Sequence, residues 1–314
     1  MTLLGKTAGG LYWMFRYLER SENTARLVEA GQRIALTRSR SDDEWLSVLQ
    51  TASSLGSYRD KYKAVTKDNA IDWMLRDRDN RSSVLSVVEG ARNNARLVRT
   101  ALTREVWESV NESWMVLKDA MERRVNERDL PAVLTLIRHR AAHVRGAMAG
   151  TMLRNDIYNF ARIGTFIERA DNTARILDVK YYVLLPSAMA VGSSLDNVQW
   201  ETILRSVSAE GGFRLTYGQT IRPREIAQFL ILDKRMPRSL AFCAEKLTDN
   251  LGYLCAGYGS RSRAAELTEA LVAGRLAQPI DTIFESGLHE FIQDFLHDIG
   301  VIGAQCEVDY RHNE

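Results

Sequence analysis

Along most of the chain apolar residues recur three and four positions apart instead of alternating, the spacing that gathers them on one face of an α-helix. This pattern predicts helices at about 8–36, 42–63, 68–76, 82–101, 103–126, 131–150, 152–184, 197–209, 223–232, 237–252, 262–274 and 279–298, and no strand. Only five prolines interrupt the sequence, at positions 131, 186, 223, 237 and 279, and each falls at or beside the end of one of these segments, where a missing amide hydrogen costs least. Thr103 before Val106 and Asp156 before Ile157 supply side-chain oxygens for first-turn amides. Two glycine-bearing stretches read as loops: Ala209–Pro223, with Gly211, Gly212 and Gly218, and Leu251–Ser262, with Gly252, Gly257 and Gly259. Neither has the lysine and hydroxyl of a phosphate-binding loop. The first also holds Phe213, Arg214 and Tyr217, which makes it the expected place for a partner contact.

Within the helical pattern one segment occurs twice. Residues 17–28 read YLERSENTARLV and residues 166–177 read FIERADNTARIL, 149 positions apart, with six of twelve residues identical. The identities are Glu19 with Glu168, Arg20 with Arg169, Asn23 with Asn172, Thr24 with Thr173, Ala25 with Ala174 and Arg26 with Arg175; Glu22 is matched by Asp171. A weaker echo, EGARNNARLV at 89–98, lies between them with Gly90 at the arginine position. It reads either as a degenerate copy or as a helix under similar packing demands.

At 100° per residue, Leu11, Met14, Leu18 and Ala25 form an apolar stripe beside a polar one that includes Glu19, Glu22, Asn23 and Arg26; Glu168, Asp171, Asn172 and Arg175 repeat the polar stripe. Glu22 with Arg26 and Asp171 with Arg175 are four-residue charge pairs. A solvated face needs charge, but not the same charge in the same place twice. The expectation is therefore a partly buried network in which carboxylates and guanidinium groups meet across two neighbouring helices, serving either register or ligand binding.

Composition changes this picture little. Of 314 residues, 42 are basic and 40 acidic, a net charge of +2, so no global field favours nucleic acid or an anionic membrane. Local basic residues, Arg92, Arg96, Arg99, Arg138, Arg140 and Arg145, come with no recognition motif. Three widely spaced cysteines, Cys243, Cys255 and Cys306, argue against a disulfide framework. The N-terminal residues lack the pattern of a signal peptide, and the longest apolar run, Tyr181–Leu185, is far too short to span a bilayer. A cytoplasmic protein without a membrane span is expected.

Catalytic motifs are sparse. There is no Gly-x-Ser-x-Gly elbow, and His139 and His143 share a helical face in HRAAH, where Arg140 replaces the glutamate of a zinc protease. A carboxylate-bridged metal pair held by Glu19, Glu22, Glu168 and Asp171 would lack the accompanying Glu-x-x-His pairs, the nearest spacing being Asp294 to His297. Neither a metal nor another cofactor is expected. The tryptophans Trp13, Trp45, Trp73, Trp107, Trp114 and Trp200 fall mostly where helices should pack.

The segments LYWMFRYLERSENTARLV and FIERADNTARILDVKY resemble the doubled Glu-Arg motif of the alpha-E family, and DRDNRSSVLSVVEGARNNARLVR at 77–99, TMLRND at 151–156 and RMPRSLAFC at 235–243 support the resemblance. It implies an all-α fold: one large helical bundle over residues 1–314 with a partial internal duplication, its repeat helices at about 8–36 and 152–184. It also implies partnership with a circularly permuted ATP-grasp protein, and with a transglutaminase-like protein, in making or modifying a peptide-like product. The alternative is an enzyme in its own right, transferring an acyl group or forming an amide bond at the Glu-Arg cluster.

Overall fold

The structure, a computed structural model, describes residues 3–35, 42–183 and 194–312. Among these residues all regular structure is helical, with no strand. The first half runs through α1 (Gly5–Ala35), α2 (Asp42–Thr51), α3 (Leu55–Lys61), α4 (Lys67–Leu75), α5 (Val84–Leu97), α6 (Arg104–Ala120) and α7 (Leu130–Thr151). The second runs through α8 (Asp156–Val183), α9 (Ser194–Ser206), α10 (Glu210–Tyr217), α11 (Pro223–Ile231), α12 (Leu240–Tyr258), α13 (Arg263–Ala273), a short α14 (Ile280–Ser286) and α15 (Leu288–Asp309). No helix is long and apolar enough to cross a membrane among the described residues.

The duplication reaches well beyond the motif helices, with α14 lacking a counterpart in the first half. Helix α1 packs on α5 and α7 as α8 packs on α12 and α15; α6 joins α5 to α7, and α13 joins α12 to α15. The two central helices lie against each other, and each also packs on the short helix that follows its counterpart, α1 on α9 and α8 on α2. The small aromatic cores match as well. Tyr58 stacks on Tyr62 at 4.9 Å with Trp73 edge-on to both, and Phe213 stacks on Tyr217 at 5.0 Å with Phe229 edge-on to both. Ahead of α5, the Asp79 amide donates to the Asp77 carboxylate and Ser83 caps the helix; ahead of α12, the Arg235 amide donates to Asp233 and Ser239 caps.

Four expectations need correction. The 42–63 segment breaks into α2 and α3 at Ser53, whose φ of 51° lies in the left-handed region without glycine or proline to signal it. Residues 279–298 break at Gly287 (φ 100°), after which α15 runs on to Asp309. Most of the stretch 209–223 is α10, and Phe213 is buried in its aromatic triad instead of standing in a loop. Helix α12 continues through Gly252 and Gly257 and ends at Gly259, in left-handed conformation. A glycine tolerated inside a well-packed helix costs only about 1 kcal/mol, so tertiary burial of Leu247, Leu251 and Leu254 overrides it. The 89–98 echo is also resolved: it lies on α5, whose counterpart is α12, while Glu89 pairs with Arg78 near the surface and Arg96 is exposed.

Candidate functional site

The crossing of α1 and α8 is close because Gly164 has no side chain: a Cβ there would lie 2.2 Å from the Tyr12 carbonyl oxygen. One turn further along α8 and two turns further along α1, the duplicated motif faces itself. Arg20 of α1 donates to Glu168 of α8, Nε to Oε1 at 2.5 Å and Nη2 to Oε2 at 2.9 Å. Arg169 of α8 returns the same fork to Glu19 of α1, Nε to Oε1 at 2.8 Å and Nη2 to Oε2 at 3.0 Å. Each glutamate of one motif is thus held bidentately by the arginine of the other, the geometry in which guanidinium and carboxylate fit best.

The remaining motif residues extend the exchange. Arg26 holds Glu22 through Nε and Nη2 and reaches across to Ser208, just after α9; Arg175 holds both oxygens of Asp171 and reaches across to Ser53, just after α2. Ser53 and Ser208 both have positive φ, 51° and 53°, so each repeat presents the same left-handed turn to the other repeat's arginine.

Three arginines outside the motif complete the network, and no periodicity pointed to them. Arg16, one turn before Arg20, donates to Glu168 at 3.2 Å. Arg145 of α7 reaches Glu19 at 3.4 Å and also pairs with Glu22. Arg238, in the turn before α12, donates to Glu19 at 3.0 Å, Asn23 at 3.1 Å and Glu22 at 2.7 Å, and is only 6% exposed. Its segment, RMPRSLAFC, carries part of the family resemblance, but nothing in its sequence distinguishes an inward-pointing Arg238 from a solvated one.

The carboxylates are deeply placed: Glu19 and Glu22 are each 1% exposed and Glu168 5%. Burial by itself would raise their pKa, but the surrounding guanidinium groups win. Arg169, Arg238 and Arg145 hold Glu19 well below the ordinary carboxylate range, Arg20 and Arg16 do so for Glu168, and Arg238, Arg145 and Arg26 outweigh both burial and Glu19 at Glu22. Arg238 pays for this crowding: burial first, opposed by Glu19, then repulsion from Arg169 bring its pKa down to about 10. The four carboxylates considered as metal ligands face arginines, and no cluster of three or more metal-binding side chains occurs among the described residues.

Beside the second motif the packing opens. A pocket of about 230 Å³ is bounded by Arg20, Glu168, Asp171, Asn172 and Arg175, by the α2–α3 turn at 51–54, and by Asn80 and Ser82 ahead of α5. The side-chain nitrogen of Asn172 is buried with no hydrogen-bond partner. All ten motif residues expected to form a site lie along this α1–α8 seam, and six of them, Arg20, Asn23, Glu168, Asp171, Asn172 and Arg175, line the pocket. His139 and His143 are exposed on α7, away from it.

A family model described as a predicted alpha-helical domain with a conserved ER motif matches residues 3–310. The chain belongs to the Alpha-E family. The crossed Glu-Arg pairs give that ER motif a physical meaning in this Alpha-E chain, as the contact between its two halves. The chain is also similar to uncharacterized proteins of Mycobacterium bovis and of two strains of Mycobacterium tuberculosis, 26% identical over 326 residues. The match covers 90% of this chain and 35% of each relative, so the chain spans about a third of the length of the curated relatives it matches. No solved structure matches.

Proposed function

We propose that this protein is a non-catalytic, cytoplasmic partner of a circularly permuted ATP-grasp protein, with a transglutaminase-like protein as a second associate, in a system that makes or modifies a peptide-like product. Its chain would form one module in that system. The observation that carries the non-catalytic part is the state of Glu19 and Glu168: both are buried and each is held ionised by a bidentate arginine from the opposite motif. A general acid or base needs a pKa near the operating pH, and these groups are driven the other way. Cys243, behind Arg169 and Arg238, is buried with its thiol pushed up to about 12, which leaves no thiolate for nucleophilic attack at neutral pH. The ATP-grasp partnership itself is supported by the family resemblance. Relatives in which the matching region is joined to much more sequence are consistent with a module that works alongside others.

One observation favours the rival, an enzyme transferring an acyl group or forming an amide at the Glu-Arg cluster: a polar pocket opens onto Glu168. Copurification with a circularly permuted ATP-grasp protein of the same organism, followed by ATP turnover with and without this chain, separates the two. The partner reading predicts a complex and altered turnover, with neither lost in a Glu19→Asp variant that still folds. A chain that fails to bind the ATP-grasp protein and leaves its turnover unchanged contradicts it; so does product loss in Glu19→Asp with binding intact.

A further inference from the structure

The two halves of the Glu-Arg seam are built alike but filled differently. Around Glu19 and Glu22 stand four guanidinium groups: Arg169 from the opposite motif, Arg26 from the same helix, Arg145, and Arg238 from the turn before α12. Around Glu168 and Asp171 stand three among the described residues: Arg20 from the opposite motif, Arg175 from the same helix, and Arg16. The position corresponding to Arg238, immediately before the capping serine of the other repeat, is Ser82. Ser82 lines the 230 Å³ pocket, and so do Glu168, Asp171 and Asn172, the counterparts of the three residues that Arg238 touches.

The hydrogen-bond inventory marks the same place. Glu19 Oε1 accepts from both Arg169 and Arg238, whereas among the described residues Glu168 Oε1 accepts from Arg20 alone. Glu22 Oε1 accepts from two arginines, whereas among the described residues each Asp171 oxygen accepts from Arg175 alone. The Asn23 amide oxygen accepts from Arg238, whereas among the described residues no hydrogen bond reaches the Asn172 amide oxygen; the amide nitrogens of both asparagines are buried without a partner, so the two halves differ at the oxygen. A carboxylate oxygen has capacity for two such bonds and an amide oxygen likewise. Each of the three acceptor groups thus lacks the bond that Arg238 supplies to its counterpart.

We propose that this pocket binds a guanidinium group, seated as Arg238 is seated in the other half, with Glu168, Asp171 and Asn172 accepting its hydrogens and the hydroxyls of Thr51, Ser53, Ser54 and Ser82 lining its stem. The planar, forked donor set of a guanidinium matches three converging acceptors in a way that an ammonium does not. The site does not rest on the ATP-grasp reading, since a guanidinium pocket serves a binding partner or an enzyme equally. Two sources carry this chemistry, a free metabolite of the arginine type and an arginine side chain within a peptide.

Calorimetric titration of the full chain with L-arginine, agmatine and N-acetyl-arginine amide, and with citrulline as the uncharged near-isostere, tests the assignment. Binding of at least one guanidinium compound without binding of citrulline is expected, and the pattern among the three distinguishes free ligand from peptide side chain. Asn172→Ala should weaken binding by about tenfold or more, the loss of a hydrogen bond to a charged group. Ser82→Arg should abolish binding by supplying the missing guanidinium from within, and it should raise the thermal midpoint of the unliganded chain. If Ser82→Arg does not fold, Asn172→Ala decides alone. The proposal is overturned if no guanidinium compound binds, if citrulline binds as well as arginine, or if binding is undiminished in the folded variants. Saturable binding of inorganic phosphate in place of arginine overturns it too, because Arg20 and Arg175 would then be the recognising groups.

Discussion

At the scale of single residues, burial with and without charged partners leaves two titratable groups in opposite states, a glutamate charged and a histidine neutral. Glu168 is buried among guanidinium groups and keeps its charge, while His312 is buried against Tyr12 and Phe160 with neither ring nitrogen hydrogen-bonded, and its pKa falls from 6.5 to about 4 because burial disfavours the imidazolium. The sign follows from proton counts. Between pH 6.5 and 4 the unfolded chain binds a proton at this position and the folded chain does not, so stability falls as pH drops through that window. Below about 4.5 the carboxylates add a second loss, since Glu19, Glu22 and Glu168 are depressed in the folded state. Urea unfolding of the parent from pH 7.5 to 4 should show this decline, and His312→Leu should flatten its upper part, between pH 6.5 and 5. An identical slope in the variant would mean that His312 is not the group responsible.

At the scale of helices, the periodicity placed most elements because long amphipathic segments carry their own evidence, and it brought Glu19, Arg20, Glu168 and Arg169 together on helices that do meet. What stayed hidden has physical reasons. Ser53 breaks a helix in the left-handed region with a residue that rarely adopts it, and nothing local announces this. The repeat could be read only at the seam because its offset drifts from 149 at the motif to 155 at Ser53 and Ser208 and 156 at Asp77 and Asp233; the matching positions beyond the motif conserve shape, as Tyr58 and Phe213 do, more than identity. Arg145 and Arg238 arrive from elements distant in sequence, and a lone arginine at the end of a turn looks the same whether it points to water or to a buried glutamate. Helix approach supplies its own prediction. Gly164→Ala forces a methyl group onto the Tyr12 carbonyl, and overpacking of this kind costs about 1–3 kcal/mol; Gly150→Ala on α7, with open space at its Cβ, should be neutral or slightly stabilising. Equal denaturation midpoints for the two variants would show that α1 and α8 are not in close contact.

At the scale of the molecule, two similar halves are joined through a reciprocal exchange in which each donates an arginine fork to the other's glutamate, and one half closes its acceptor site with its partner-repeat arginine while the other leaves it open. Such a joint is specific because Glu19 and Glu168 each take their bidentate partner from the opposite half. Removing one member leaves a buried charge uncompensated, which typically costs about 3–5 kcal/mol. The most direct test is a double-mutant cycle on Arg20 and Glu168, measured by equilibrium urea unfolding of the parent, Arg20→Ala, Glu168→Ala and the double variant. A buried, reciprocal pair predicts that the single changes are each strongly destabilising and that the double change costs at least 1 kcal/mol less than their sum, a coupling of the size seen for residues in direct contact. Single changes that leave the midpoint where it was, or costs that simply add, would contradict the crossed Glu-Arg joint.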